Sequence, residues 1–145
     1  MTKVIIAPGK YVQGPGEIKK LREYTKVYGE KGVYAIVDSF ILKNYREDIE
    51  ANYNDSSTEE IGGPSSKKEI DQHIETAPEI NAEVIIGIGG GKTLDTAKAV
   101  AYYAQLPAAI VPTAASADAP STALTVIYTE DGQFDEYLFL PTNPD

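Results

Sequence analysis

Val84-Ile85-Ile86-Gly87-Ile88-Gly89-Gly90-Gly91-Lys92-Thr93-Leu94-Asp95-Thr96-Ala97-Lys98 reads as a buried strand, a glycine turn and the start of a helix. The β-branched run from Val84 to Ile88 predicts a strand covered on both faces. The glycines that follow carry no Cβ, so the chain turns tightly and a ligand can approach the main chain. The helix is expected to open at Lys92 or Thr93. Its first N–H groups have no partner within the helix and its dipole is positive there, which suits a pyrophosphate. The plain alternative is a glycine turn that only joins strand to helix.

Two familiar phosphate motifs do not fit. The first glycine of a P-loop ending in Gly91-Lys92-Thr93 would fall at Ile86, and the dinucleotide pattern G-x-G-x-x-G begun at Gly87 meets Lys92 in its sixth place. The expectation therefore rests on strand, turn and helix chemistry rather than on a stored pattern.

Working outward, strand and helix patterns alternate, which predicts parallel strands joined by crossover helices in a layered, Rossmann-like α/β fold. Val4 to Ala7 reads as a short first strand. Ile18, Leu21, Tyr24 and either Val27 or Tyr28 form a helical stripe ending near Gly29. Val33 to Val37 is a second buried strand, and Asp38-Ser39 can cap the helix carrying Ile41, Leu42, Tyr45 and Ile49. Residues 51–66 are polar and poorly periodic, with a short strand expected near Glu60-Ile61. Ser65 or Ser66 starts a helix through Ile70 and Ile74 that is expected to stop before Pro78. Beyond the glycine turn, a helix reaches Tyr103 with Leu94, Ala97, Ala101 and either Val100 or Ala104 facing the sheet, and Ala108 to Val111 forms the next strand. Thr113 to Thr122 is a small, polar loop at the carboxyl end of a strand, where open α/β sheets place ligands. Ala123 to Tyr128 and Phe134 to Leu140 alternate around Asp131-Gly132, a hairpin signal.

The 145 residues fit one domain and leave no room for a second. Hydrophobic residues at 42% and charged residues at 24% are those of a soluble globular protein. No apolar stretch is long enough to span a membrane, and the N-terminal apolar run is too short for a signal peptide. Cysteine is absent, which excludes disulfides and thiolate metal sites and makes a cytoplasmic setting the default. A net charge of −9 argues against nucleic acid and anionic membranes as partners, so an anionic cofactor must be held by local amides and dipoles.

Gly87-Ile-Gly-Gly-Gly-Lys-Thr-Leu-Asp-Thr-Ala-Lys98, Val111-Pro-Thr-Ala-Ala-Ser116 and Asp118-Ala-Pro-Ser-Thr-Ala-Leu-Thr-Val-Ile-Tyr128 together resemble the glycerol dehydrogenases, metal-dependent members of the iron-containing alcohol dehydrogenase group. The likeness covers the whole chain, weakly before residue 80 and strongly after it. The glycine run alone would be shared with related dehydrogenases and with dehydroquinate synthase; Asp118-Ala-Pro and the segment through Tyr128 narrow the resemblance. Ala117 departs slightly, since threonine is common there.

The resemblance implies an N-terminal NAD-binding domain, here residues 1–145, followed in the family by a helical metal-binding domain that this chain is not expected to contain. It implies that Gly89, Gly90, Gly91 and Lys92 wrap the pyrophosphate and that Asp38 accepts from an adenosine ribose hydroxyl, where its plain alternative is a helix cap. It places Thr113 and Ser116 near the cofactor and Thr122, Leu124 and Tyr128 on the nicotinamide side. Asp118 is expected to reach the substrate or the metal as a catalytic residue. The remaining ligands of the family's zinc, an aspartate and two histidines, are expected in the helical domain. The one histidine, His73, is expected to be solvated, and Asp95 to be structural in the first turn of its helix. The implied reaction is zinc-assisted oxidation of glycerol, or a similar small polyol, to dihydroxyacetone with hydride transfer to NAD, in a homo-oligomer. The competing readings are a non-catalytic nucleotide-binding module and a relative such as dehydroquinate synthase.

Overall fold

A computed structural model describes residues 2–3, 7–29, 31–53 and 57–145. Val4 to Ile6 of the expected first strand lie outside the described residues. Four parallel strands, β1 (Val33–Val37), β2 (Ser57–Glu60), β3 (Val84–Gly89) and β4 (Ala108–Pro112), form one sheet in the order β2-β1-β3-β4. The helices α1 (Leu21–Thr25), α2 (Ser39–Glu50), α3 (Lys67–Glu79) and α4 (Gly91–Ala104) cover it on two sides. A second sheet is the antiparallel hairpin of β5 (Leu124–Tyr128) and β6 (Phe134–Phe139). This is the layered α/β fold with a C-terminal hairpin that the alternation of patterns predicts.

The continuous apolar runs of β1 and β3 are explained by burial on both faces. Val33, Ala35 and Val37 of β1 join Val84, Ile86 and Ile88 of β3 under α1 and α2, with Leu21, Ile41, Leu42 and Ile49. Tyr34, Ile36 and Ile85 face the other way, toward Ile70 and Ala77 of α3 and Ala97, Val100 and Ala101 of α4. Full burial of each of these isoleucines contributes roughly 1.5–3 kcal/mol, so the central strand pair carries a large share of the fold's stability. Gly87 is a point of close approach, because a Cβ there would lie 2.6 Å from the Ala97 Cβ.

Three helical expectations change. The first helical stripe divides into a 3-10 turn over Glu17–Lys20 and a short α1 that stops at Thr25; Tyr28 packs on the core while Val27 is 76% exposed. The third helix does not stop before Pro78 but runs to Glu79. In the last turn the missing N–H of Pro78 costs only one ladder bond. The helix ends instead on Asn81 in a left-handed conformation, with the Ala82 N–H donating to Ala77 O at 3.0 Å and the Asn81 N–H donating to Pro78 O at 3.0 Å, a Schellman closure. The fourth helix opens at Gly91, a residue or two earlier than expected. The short second strand lies at Ser57–Glu60, slightly before its expected place.

His73 is not solvated. It is 4% exposed on α3, with one ring nitrogen on the Tyr34 hydroxyl and Nε2 3.2 Å from Glu69 Oε1. Tyr34 in turn donates to Glu59 at 2.8 Å, and Glu69 accepts from the Gly62 N–H at 2.6 Å. Tyr34 lies in β1 and needs a partner for its hydroxyl when buried, and α3 supplies one. Burial raises the Tyr34 hydroxyl well above the ordinary phenol range.

Candidate nucleotide-binding site

The chain moves outward from β1 to β2, returns across β1 to β3, and continues to β4, so the sheet order reverses between β1 and β3. In open α/β sheets the crevice at the carboxyl ends of the strands beside such a reversal is where ligands bind. Here those ends are Asp38 and Gly89. The Asp38 N–H donates to Ile88 O at 2.9 Å, and the Thr113 N–H, after β4, donates to Gly89 O at 3.1 Å. Asp38, the glycine turn and Thr113 thus stand in a row across three strand ends.

Glycine is required at 89 for space: a Cβ there would lie 2.8 Å from Thr93 Oγ1 and 2.9 Å from Asp38 Cβ. At Gly90 and Gly91 the situation reverses, because a Cβ at either would meet nothing within 4 Å. The main chain at those two residues faces open space. Gly90 is the N-cap of α4 and offers no side chain to the helix's free N–H groups. Within the first turn, the Thr93 hydroxyl is fully buried without a hydrogen-bond partner. Lys92 is exposed at the same end. An uncapped helix start and an open cradle fit an anionic group, which would take up the free N–H groups of the first turn; the Thr93 hydroxyl shares its buried, unpartnered state with those of Thr58 and Ser65.

Asp38 does cap α2, accepting from the Phe40 N–H at 3.0 Å through Oδ1. Its position beside Gly89 leaves it on the rim of the same crevice. Thr113, Ser116 and Asp118 are exposed in the loop after β4, and Thr122, Leu124 and Tyr128 are half-buried. β5 runs back along α4 toward the start of that helix. Leu124 O lies on Lys98, the Thr125 hydroxyl donates to Asp95 O at 2.7 Å, and the Val126 N–H donates to Asp95 Oδ2 at 3.3 Å. Tyr128 ends the strand with its N–H on Ser65 O at 2.8 Å, so it belongs to the wall near the start of α3. Asp95 lies beyond the first turn of α4, because the helix opens earlier than expected, and its contacts are to Lys98 and to β5 rather than to the free N–H groups of the helix start.

The pattern of the sequence does not single out Lys98, and the structure does. Its side chain is fully buried, and its ammonium lies 3.1 Å from Asp95 Oδ1 while donating to Ala119 O at 2.8 Å, Leu124 O at 2.5 Å and Thr122 O at 3.4 Å. Burial pulls its pKa below the ordinary lysine range, opposed by the Asp95 carboxylate and, more weakly, by that of Asp118. The available signal was a lysine between alanines on a helix of small apolar residues, three positions after an aspartate.

Among the described residues, no three His, Cys, Asp or Glu side chains come together in a group able to hold a metal. Asp118, the residue the resemblance assigns to the substrate or metal, belongs to no such group among the described residues. No described helix is long and apolar enough to cross a membrane.

The family model for iron-containing alcohol dehydrogenases matches residues 8–145. The chain belongs to this family. It is 45% identical over 99% of its length to a glycerol dehydrogenase of Escherichia coli O6:H1, and 46% identical over its whole length to one of Thermotoga maritima. It spans about 40% of the length of each of those relatives. A crystal structure of a probable glycerol dehydrogenase from Sinorhizobium meliloti 1021 superposes with a TM-score of 0.90 at 38% identity, covering 99% of this chain and 39% of that one. The described residues therefore form an α/β unit shared with these relatives, with the glycine turn at its centre.

Proposed function

We propose that this chain is the NAD-binding domain of a glycerol dehydrogenase. The observation that carries the reading is the start of α4, where open glycines and an uncapped helix lie at the sheet's switch point beside Asp38. In this reading the amides of Gly89, Gly90 and Gly91 and the Lys92 ammonium hold the pyrophosphate. Asp38 accepts from the adenosine ribose. Thr113 and Ser116 flank the cofactor, and Thr122, Leu124 and Tyr128 line the nicotinamide side. A nicotinamide cofactor held by these residues would supply the hydride acceptor for alcohol oxidation.

Asp118, exposed on the loop after β4, faces the polyol substrate as the catalytic carboxylate of this domain. The zinc of the family resemblance is not held by this chain's residues alone, and its other ligands belong to the family's remaining length. Glycerol as substrate, dihydroxyacetone as product, a homo-oligomeric state and a cytoplasmic location complete the proposal, supported by the glycerol dehydrogenase names of the relatives that match nearly all of this chain. Neither nucleic acid nor a membrane is a proposed partner.

Calorimetry at low salt tests it. NAD is expected to bind about tenfold or more tightly than NADP, because a 2′-phosphate would stand against the Asp38 carboxylate, and Asp38→Gly is expected to narrow the gap. Equal affinities in the unmodified chain would refute the Asp38 assignment, and no binding of either would refute the function.

A further inference from the structure

Three carbonyl oxygens from one short stretch, Ala119, Thr122 and Leu124, converge on the Lys98 ammonium, and Asp95 closes the group from the same helix. A surface loop normally leaves such oxygens to water. A lysine with three N–H donors on a compact charge can serve carbonyls from several directions, which an apolar side chain of similar length cannot do. The position of the group matters as much as its chemistry. The stretch it holds begins next to Asp118 and contains Thr122 and Leu124, while Lys98 itself is fully buried beneath it. A separate contact, the Thr125 hydroxyl on Asp95 O, fastens β5 to α4 without involving the loop.

From this geometry we infer that Lys98 is a positioning residue for the nicotinamide half of the cofactor site. Its ammonium holds the main chain from Ala119 to Leu124 in the shape that presents Thr122 and Leu124 to the ring and Asp118 to the substrate. The adenosine diphosphate half is held elsewhere, by Asp38 and the glycine turn, and does not depend on it. The inference rests on the proposed NAD site and deepens it. A residue that only stabilised the fold would affect both halves of the ligand alike.

The test uses the 145-residue chain and two probes, NADH and ADP-ribose, titrated by calorimetry. The unmodified chain is expected to bind NADH more tightly than ADP-ribose. Lys98→Met is expected to weaken NADH by about tenfold while ADP-ribose changes by less than about twofold. Thr125→Val, which loosens the hairpin alone, is expected to leave the ratio of the two affinities unchanged. Should Lys98→Met fail to fold, Asp95→Asn removes the charge opposite the ammonium, and the same split, smaller in size, is expected. Hydrogen exchange adds a readout free of ligand: amides 119–124 are expected to exchange faster in Lys98→Met while those of Val84–Gly89 do not change. Equal losses for NADH and ADP-ribose in a folded variant would overturn the inference, as would no loss for either. Equal binding of the two probes by the unmodified chain would overturn it while leaving the nucleotide site standing. Binding of neither would defeat both.

Discussion

The helices α3 and α4 both leave the carboxyl end of the sheet, and their first turns are finished in opposite ways. At α3, Ser66 accepts from the Glu69 N–H at 3.2 Å and the Glu69 side chain continues to Gly62 and His73, so the helix start is capped from within the chain, although the buried Ser65 hydroxyl just before it has no partner. At α4, Gly90 supplies no cap, Gly91 adds no side chain, and Thr93 keeps a buried hydroxyl without a partner. The same contrast recurs along α4 itself: further on, Asp95 and Lys98 are satisfied by groups of the loop and the hairpin. An open, uncapped helix start is what the proposed nucleotide site requires, whereas the satisfied groups hold the chain together.

Breaking the satisfied side should have the largest effect on stability. Asp95→Ala leaves the Lys98 charge buried without its nearest counter-ion and strips the Val126 N–H of its acceptor. Chemical denaturation is expected to show a loss of about 3–5 kcal/mol. A loss below about 1 kcal/mol would mean that water enters and replaces the carboxylate.

Blocking the unsatisfied side should act on binding and spare the fold. Gly90→Val places its side chain where a Cβ meets nothing within 4 Å, so the core is undisturbed while the amides behind it are covered. NADH affinity by fluorescence titration is expected to fall by more than about tenfold. The melting temperature should move by only a few degrees, as for a change of about 1 kcal/mol. Unchanged affinity would place the cofactor elsewhere.

The smallest effects come from exchanging the two finishes. Ser66→Ala is expected to destabilise by about 1 kcal/mol with no change in nucleotide affinity. Gly90→Ser, which gives α4 the cap it lacks, is expected to stabilise by only a few tenths of a kcal/mol and to weaken NADH, because the serine oxygen competes for the same N–H groups. A Gly90→Ser variant that gained stability and kept full affinity would show that the ligand does not use those amides.

What the sequence by itself determined was local. Val33 to Val37 and Val84 to Gly89 are strands because β-branched runs covered on both faces leave no solvent side, and Asp38 caps α2 because its side chain reaches the N–H two residues on. The turn between β5 and β6 falls at Asp131-Gly132 because the connection needs a residue tolerant of positive φ, and Gly132 takes it at 83°. The Gly87–Lys92 turn was legible for a similar reason, since three consecutive glycines before a helix have few other uses.

What only the tertiary structure decided was which polar residues would find partners. Nothing in the spacing of residues 67–79 shows that His73 meets Tyr34 from a strand 39 positions earlier, or that helix α3 can carry Pro78 because Asn81 and Ala82 close its end. Lys98 is the clearest case. In sequence it is one lysine on a helix, and its character depends on carbonyls 21 to 26 residues away that arrive only when the loop and hairpin fold back over α4. Local pattern reports backbone conformation and exposure of short segments, because those depend on sterics and on the period of apolar residues. Whether a buried charge is paired depends on long-range closure of the chain, which leaves no periodic trace in the sequence.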